Sequence, residues 1–357
     1  MFRSREARGP EFDPKPIHNA FADVIESLEW SLGLQADKSS RETVMRIAIL
    51  DDYQGVALAM ADWSLLQRRA EITVFTDHLD NEDALAERLA PFEVLCVMRE
   101  RTPLRRSLIE RLPKLRFIAS TGTVNAAIDV KAAQERGIQV AHTGYASTPT
   151  IELTWGLILA SCRSLVDEVK SMRLGGWQRT VGVELRGRTL GLLGLGNIGG
   201  AVARIGLAFG MRVIAWSENL TLERAKDVGT VAVSKEALFG EADVLSLHTL
   251  LSRRTRGLVD ARMLALMKPT AWLINTSRGA IVEEAAVLDA LRTKRIAGYA
   301  VDVFDLEPLP VQHPFRSLPQ VLATPHIGYV SEDLYRTFYG DSVRNITEWL
   351  DHYESTY

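Results

Sequence analysis

Cysteine is nearly absent: of 357 residues only Cys96 and Cys162 carry a thiol. Both stand among apolar neighbours, in VLCVM and ILASCRSL, where a cysteine behaves as a small buried hydrophobe. Neither has a CxxC partner or a histidine at metal-ligand spacing, which leaves no basis for a disulfide framework, a redox pair or a metal site and suits a cytoplasmic location. A surplus of charge is missing too. The 42 Lys and Arg against 45 Asp and Glu leave a net charge of -3, so nothing points to nucleic acid. Long apolar runs are also lacking: the longest uncharged stretch, around Leu190–Ala203, is shorter than the roughly 20 residues of a membrane span and is interrupted by glycines and Asn197. No internal repeat or low-complexity tract is present. What remains, at 46% hydrophobic and 24% charged residues, is a globular chain long enough for two cores.

What the chain does have is Gly191–Gly210, GLLGLGNIGGAVARIGLAFG, with the spacing G-x-G-x-x-G at Gly194, Gly196 and Gly199. The apolar run Thr189–Leu193 before it fits a strand buried on both faces. Val202, Ile205, Ala208 and Phe209 after it recur at helical spacing, and Met211–Trp216 reads as the next strand. A strand, a glycine turn and a helix in this order aim backbone N–H groups and the positive end of a helix dipole at one point, where a pyrophosphate fits. The first glycine permits the sharp exit from the strand, the second admits the phosphate to the backbone, and the third lets helix and sheet pack closely.

Residues 1–44 differ from the rest. They begin MFRSREARGPEFDPKP, carry a short helical pattern at Phe21, Val24, Ile25, Leu28 and Leu32, and end where Met45 precedes the first clear strand; they are expected to be non-native or dispensable. From Met45 to about Gly144, strands are expected at Ile47–Leu50, Ile72–Phe75, Val94–Met98, Arg116–Ser120 and Ile138–Val140, with helices such as Gly55–Arg69 and Ala84–Ala90 between them. Such alternation makes a parallel sheet covered on both faces. A helix over Ile151–Met172, started at Ser147-Thr148-Pro149 and stopped at Gly175-Gly176, carries the chain into a second unit. There strands are expected at Leu190–Leu193, Arg212–Trp216, Val244–His248, Trp272–Asn275, Gly298–Val301 and Val321–Ala323. The last helix, Asp333–Tyr353, is expected to fold back on the first domain. The domains are therefore drawn as 45–147 with 328–357, and 148–327.

Three expected strands of the second domain end in chemistry-capable side chains: Asn275-Thr276-Ser277-Arg278-Gly279, Asp302 to Pro308, and Thr324-Pro325-His326-Ile327-Gly328. Ligands of open α/β sheets bind beyond the carboxyl ends of strands, so the three could share one crevice. GLLGLGNIGG, INTSRGAIV, DVFDLEPLP and TPHIG, in this order and with Gly176-Trp177 upstream, resemble the signatures of the D-isomer-specific 2-hydroxyacid dehydrogenases over about Met45–Leu350. The resemblance implies an α/β fold of two doubly wound parallel-sheet domains, a flavodoxin-like substrate domain and a Rossmann NAD(P)-binding domain. It implies an oxidoreductase that moves a hydride between nicotinamide and a small D-2-hydroxy acid or 2-keto acid, akin to glyoxylate and hydroxypyruvate reductases, and a homodimer formed through the cofactor domain. Arg278, Glu307 and His326 match the family's catalytic trio. Gly194, Gly196, Asn197, Ile198 and Gly199 match its pyrophosphate turn, and Asp302 matches the residue near the nicotinamide carboxamide. Thr249, Leu250, Thr255, Thr276, Ser277 and Arg278 match loops along the cofactor, while Arg99 and Thr121-Gly122-Thr123 resemble the substrate-facing loops.

The chemistry accounts for these residue types. An imidazole titrates near working pH, so His326 is the candidate proton donor to the substrate carbonyl. Glu307, if bonded to the other ring nitrogen, would hold the ring and favour its protonated form. Arg278 offers a planar fork to a carboxylate. Taken singly, each has a plainer reading: a strand-to-turn exit at Arg278-Gly279, a surface turn at Glu307-Pro308, a histidine satisfied by backbone at His326. His78 and His142 lack this context, His248 reads equally as a cofactor-loop or a strand-end residue, and Asp51-Asp52 read as a turn. One departure concerns the end of the second strand of the dinucleotide unit. Many family members carry an aspartate there for the adenosine ribose; here Ser217 stands in that place with Glu218 beside it. NAD is expected, held through Glu218, and NADP stays open. The rival reading is a dinucleotide-sensing binding protein similar to the C-terminal-binding-protein corepressors.

Overall fold

The computed structural model describes residues 45–356, and the expectations for residues 1–44 lie outside the described residues. Two wholly parallel sheets organise the chain. The first has β1 (Met45–Ile49), β2 (Ala70–Val74), β3 (Val94–Val97), β4 (Phe117–Ser120) and β5 (Gln139–His142) in the order β2-β1-β3-β4-β5. The second has β6 (Thr189–Leu193), β7 (Arg212–Trp216), β8 (Val231–Ala232), β9 (Val244–Leu247), β10 (Trp272–Asn275), β11 (Gly298–Val301) and β12 (Val321–Ala323) in the order β12-β11-β10-β9-β6-β7-β8. Each order reverses once, between β1 and β3 in one sheet and between β6 and β9 in the other. Crevices in doubly wound sheets open at such reversals.

Each sheet is covered on both faces, and side-chain alternation divides the apolar residues between them. In β1, Ile47 and Ile49 enter one core while Ala48 and the following Leu50 enter the other. In β6, Leu193 faces one core and Leu190 and Leu192 the opposite one. The helix Glu332–Thr356 returns to the first sheet, burying Phe338, Ile346 and Leu350 and stacking Trp349 on Phe117 at 5.1 Å between ring centres.

Three details depart from the pattern of the sequence. The stretch Gly55–Arg69 is two short helices, Ala57–Met60 and Ser64–Gln67, because Trp63 turns into the core and donates its indole N–H to the Ala57 carbonyl at 2.9 Å. The helix expected over Ile151–Met172 is broken into Thr148–Cys162 and Leu165–Arg173 by Ser164, whose left-handed backbone (φ 49, ψ 38) redirects the chain with no glycine or proline to announce it. The two-residue strand β8 at the sheet edge was not expected; so short a strand carries no periodicity.

Register then sets the site. Pairing of Leu193 with Leu247 brings Gly194 alongside His248, whose N–H donates to the Leu193 carbonyl at 2.8 Å. In the first sheet Leu50 N–H donates to the Cys96 carbonyl at 2.9 Å, so Asp51 and the segment Met98–Arg101 emerge side by side.

Candidate active site

The glycine turn is built as a cradle. Gly194 has φ 104, and a Cβ there would stand 2.6 Å from the His248 carbonyl oxygen. A Cβ on Gly199 would collide with the Gly194 carbonyl, so the helix Asn197–Ala208 can start only this close to β6 if that position is glycine. Gly196 caps this helix without any side-chain hydrogen bond, and nothing lies within 4 Å of where its Cβ would be. An uncapped helix N-terminus opening on free space at Gly196, Asn197 and Ile198 fits a bridging pyrophosphate. Beneath it, His248 shares a 2.9 Å hydrogen bond with Ser246 Oγ, and desolvation pushes its pKa down to about 4. It is therefore a neutral ring wedged at the strand end.

The neighbouring strand ends are knitted by side chains. Asn275, fully buried, accepts from Ser277 N–H at 3.0 Å and donates to the Arg278 carbonyl at 3.1 Å, while Ser277 Oγ donates to the Leu247 carbonyl at 2.8 Å. Thr276 Oγ1 is 2.8 Å from Thr154 Oγ1, tying this turn to the helix Thr148–Cys162. Ser217 and exposed Glu218 close β7; Thr249, Leu250 and Thr255 follow β9, where Thr255 Oγ1 donates to the Leu250 carbonyl at 2.6 Å.

Arg278, Glu307 and His326 line one cleft of about 420 Å³ with Glu100, Arg101 and Arg105 of the first domain. His326 Nδ1 lies 2.5 Å from Glu307 Oε2, and the other Glu307 oxygen accepts Phe304 N–H at 2.7 Å. An imidazole so held by one nitrogen can exchange a proton through the other. His326 adopts a left-handed backbone (φ 53), and Asp302 maintains it. That buried carboxylate accepts from Thr324 Oγ1 at 2.6 Å, Ile327 N–H at 2.9 Å and Gly328 N–H at 2.8 Å, while desolvation raises its pKa. The sequence marks Asp302 as a chemistry-capable strand-end residue near the cofactor and gives no sign of this loop-fixing role. Tyr329, edge-on to His326 at 5.4 Å between rings, also escaped notice, as did Arg101, which lies against the faces of Tyr53 and Tyr329. Burial raises the Tyr329 hydroxyl above its ordinary range.

Arg99 and Thr121-Gly122-Thr123 lie beside this cleft and do not join its lining. Arg99 has φ 51, donates its N–H to Thr121 Oγ1 at 2.8 Å, and spreads over the Tyr145 ring. Gly122 N–H donates to Thr143 Oγ1 at 2.7 Å, and Thr123 is exposed. A larger cavity, about 570 Å³, lies behind Phe304–Leu306 against Glu284, Tyr299, His313 and Phe315, and none of the trio reaches it. Among the described residues no group of three or more His, Cys, Asp or Glu could hold a metal ion, and no helix is long and apolar enough to cross a membrane.

Two doubly wound domains with an open glycine turn beside an interdomain cleft define a dinucleotide-binding α/β protein. Comparisons narrow this class. Residues 155–328 match the family described as D-isomer specific 2-hydroxyacid dehydrogenase, NAD binding domain. A glyoxylate reductase of Aeropyrum pernix is 44% identical over 229 residues, 61% of this chain and 68% of that protein. A hydroxypyruvate reductase of Thermotoga maritima is 35% identical over 277 residues, 76% of this chain and 89% of that one. The crystal structure of a phosphoglycerate oxidoreductase from Vibrio cholerae superposes with a TM-score of 0.82 at 38% identity, covering 86% of this chain and 99% of that one. The chain belongs to the D-isomer specific 2-hydroxyacid dehydrogenases, oxidoreductases that act on the CH–OH group with a nicotinamide dinucleotide.

One further pair stands on the cleft's first-domain wall. His78 Nδ1 is 2.8 Å from the buried Asp51 Oδ1, Thr102 Oγ1 donates to Asp51 Oδ2 at 2.6 Å, and exposed Asp80 is 3.2 Å from His78 Nε2. The hydrogen bond with Asp51 raises the His78 pKa above 6.5 against the opposing effect of burial. Its contribution to stability is then fully present below the unfolded value near 6.5 and fades as pH rises through the folded value. The melting temperature of His78→Asn is expected to fall furthest below that of the native chain at about pH 5.5, with the gap narrowing towards about pH 9. A gap constant across that range in thermal melts would contradict the pairing.

Proposed function

We propose that this chain reduces a short 2-oxo acid of the glyoxylate or hydroxypyruvate kind to its D-2-hydroxy acid, with NADH as reductant. The observation that carries the reading is the convergence of Arg278 and the Glu307–His326 pair on one cleft at the carboxyl ends of the strands. Residues 148–327 are proposed as the dinucleotide unit, and 45–147 with 328–357 as the substrate unit. Gly194, Gly196, Asn197, Ile198 and Gly199 would hold the pyrophosphate; Ser217, Glu218, Thr249, Leu250, Thr255, Thr276 and Ser277 would line the rest of the cofactor, with Asp302 acting mainly by fixing the loop behind it.

When bound, the nicotinamide supplies the hydride. Arg278 receives the substrate carboxylate and draws electron density from the adjacent carbonyl. His326 gives its proton to the carbonyl oxygen as that oxygen gains charge, and Glu307 holds the ring through Nδ1 so that the other nitrogen faces the substrate. In the oxidative direction the same imidazole takes the hydroxyl proton. Arg99 and the Thr121–Thr123 turn bound the space left for the substrate's remaining atoms. His326→Ala is expected to lower kcat by roughly 10²- to 10⁴-fold, the usual contribution of a positioned acid, while still quenching with NADH. Turnover near the native rate in that variant would end the assignment.

Glu218 is the support for NAD. Its exposed carboxylate at the end of β7 can accept from ribose hydroxyls and repels a 2′-phosphate. We expect kcat/KM to favour NADH over NADPH by about tenfold or more, the factor produced by a single modest like-charge contact. A preference for NADPH measured with one keto acid would reverse the choice.

A homodimer is the proposed assembly. Leu165, Val166, Val169 and Met172 of the helix Leu165–Arg173 are about half exposed and run on into Leu174 and Trp177, 76% and 70% exposed. This apolar stripe is flanked on the same helix by Asp167, Glu168, Lys170 and Arg173, so a second copy related by a two-fold axis can meet it with opposite charges. Sedimentation is expected at twice the 39.7 kDa chain mass, and Val169→Glu is expected to shift it to the monomer. A native chain that sediments as a monomer would refute the assembly.

A further inference from the structure

Glu100 is a carboxylate for which the proposed chemistry has no use, yet it stands inside the cleft. It follows β3 of the first domain and lines the same space as Arg278, Glu307 and His326. Its Oε1 lies 3.2 Å from Arg278 Nη2 in the second domain, and Arg278 Nη1 donates to the Ser277 carbonyl at 2.8 Å. Glu100 thus engages Nη2 and the backbone engages Nη1, the two nitrogens of one guanidinium edge. A guanidinium grips a carboxylate through such an edge with two parallel bonds, and here an anion of that very kind already holds one end.

Glu100 also has somewhere else to go. Arg99 Nη2 lies 3.6 Å from the same Oε1. The Arg99 backbone is fixed by Thr121 Oγ1 on its N–H and by Asn125 Nδ2, which donates to its carbonyl at 2.6 Å. Its guanidinium rests over Gly122, where any Cβ would collide with it. The carboxylate thus stands between two cations, one on each domain, of which Arg278 is the one read as the anchor of the substrate carboxylate.

We propose that Glu100 sets substrate affinity as an internal competitor: its carboxylate occupies Arg278 until the carboxylate of a 2-oxo acid displaces it towards Arg99. The proposal rests on the reading of Arg278 as the substrate-carboxylate anchor. Displacement precedes any change at the carbonyl, so the cost is carried into ground state and transition state alike and falls on KM more than on kcat. A neutral 2-oxo ester cannot take the place of Glu100 on Arg278 and gains little when Glu100 loses its charge.

Steady-state reduction of pyruvate and methyl pyruvate by Glu100→Gln tests this. KM for the acid is expected to fall roughly two- to fivefold, the size of a partly exposed ion pair, with a smaller change for the ester. Glu100→Ser, which removes reach as well as charge, is expected to act in the same direction, and melting temperatures report whether both variants are folded. A KM for the acid that is unchanged or raised, or an equal fall for acid and ester, overturns the proposal. Arg278→Gln separates the two readings. If it fails to raise KM for the acid relative to the ester, the anchor reading fails and the competitor with it. If it does raise that ratio while the Glu100 variants do not lower it, the competitor alone fails.

Discussion

The buried carboxylate of Asp302 fixes the loop from which the chain returns to the first sheet. At 1% exposure it loses nearly all hydration, a penalty of several kcal/mol for an isolated ion. Three donors from one five-residue loop offset part of that penalty, each hydrogen bond to a charged group contributing about 1.5–3 kcal/mol, and desolvation still holds the pKa raised. The loop is Thr324–Gly328, the last segment before the chain returns to the first sheet. Its Gly328 carbonyl accepts Thr150 Oγ1 at 2.9 Å, and Thr150 lies at the start of the helix by which the chain left that sheet. Outbound and returning crossings are thereby joined at one point. His326 stands in the middle of that loop, so its left-handed backbone is fixed beside the point where the two crossings of the chain meet.

Strain recurs around the cleft. Three of the five non-glycine residues with positive φ among the described residues are Asp51, Arg99 and His326. The first two follow β1 and β3, the strands on either side of the reversal in the first sheet, and His326 follows β12. Each is held by more than its own backbone preference: Asp51 by Thr102 and His78, Arg99 by Thr121 and Asn125, His326 by the Asp302 loop. Backbones in this region survive only where surrounding bonds over-determine them. The backbone of the cleft is thus fixed by side chains at its strand ends.

Much of this was legible in the sequence because it is periodic or local. The glycine turn announced itself through three residues and their flanks, and buried parallel strands such as Val94–Val97 and Leu190–Leu193 read as apolar runs. The Ser164 break did not, since Arg163-Ser164 has no residue that demands a left-handed backbone and the apolar pattern continues through it. Glu100 was invisible for a different reason. Its partner is 178 residues away, and in MRERTP the resemblance singles out Arg99 and leaves Glu100 looking like solvated surface. Asp302 was seen as a chemistry-capable side chain, but spacing cannot say that both its oxygens turn back onto the chain rather than towards a ligand.

Charge pairing also bears on the size of what the cleft can take. The carboxylates that face it are largely matched: Glu307 by His326, Glu100 by Arg278 and Arg99, Asp305 by Arg256 at 3.7 Å, and Asp80 by His78. An entering monoanion that moves Glu100 onto Arg99 adds one negative charge and leaves each of the two carboxylates with one guanidinium. A ligand of higher negative charge would need a further cation, and the remaining candidate, Arg101, is already stacked between Tyr53 and Tyr329 and donating to the Asp51 carbonyl at 2.6 Å. Exposed Arg105 at the rim could meet such a charge only in water, where a single pair contributes about 1 kcal/mol or less. The proposed exchange on Arg278 therefore suits a small singly charged acid better than a multiply charged one.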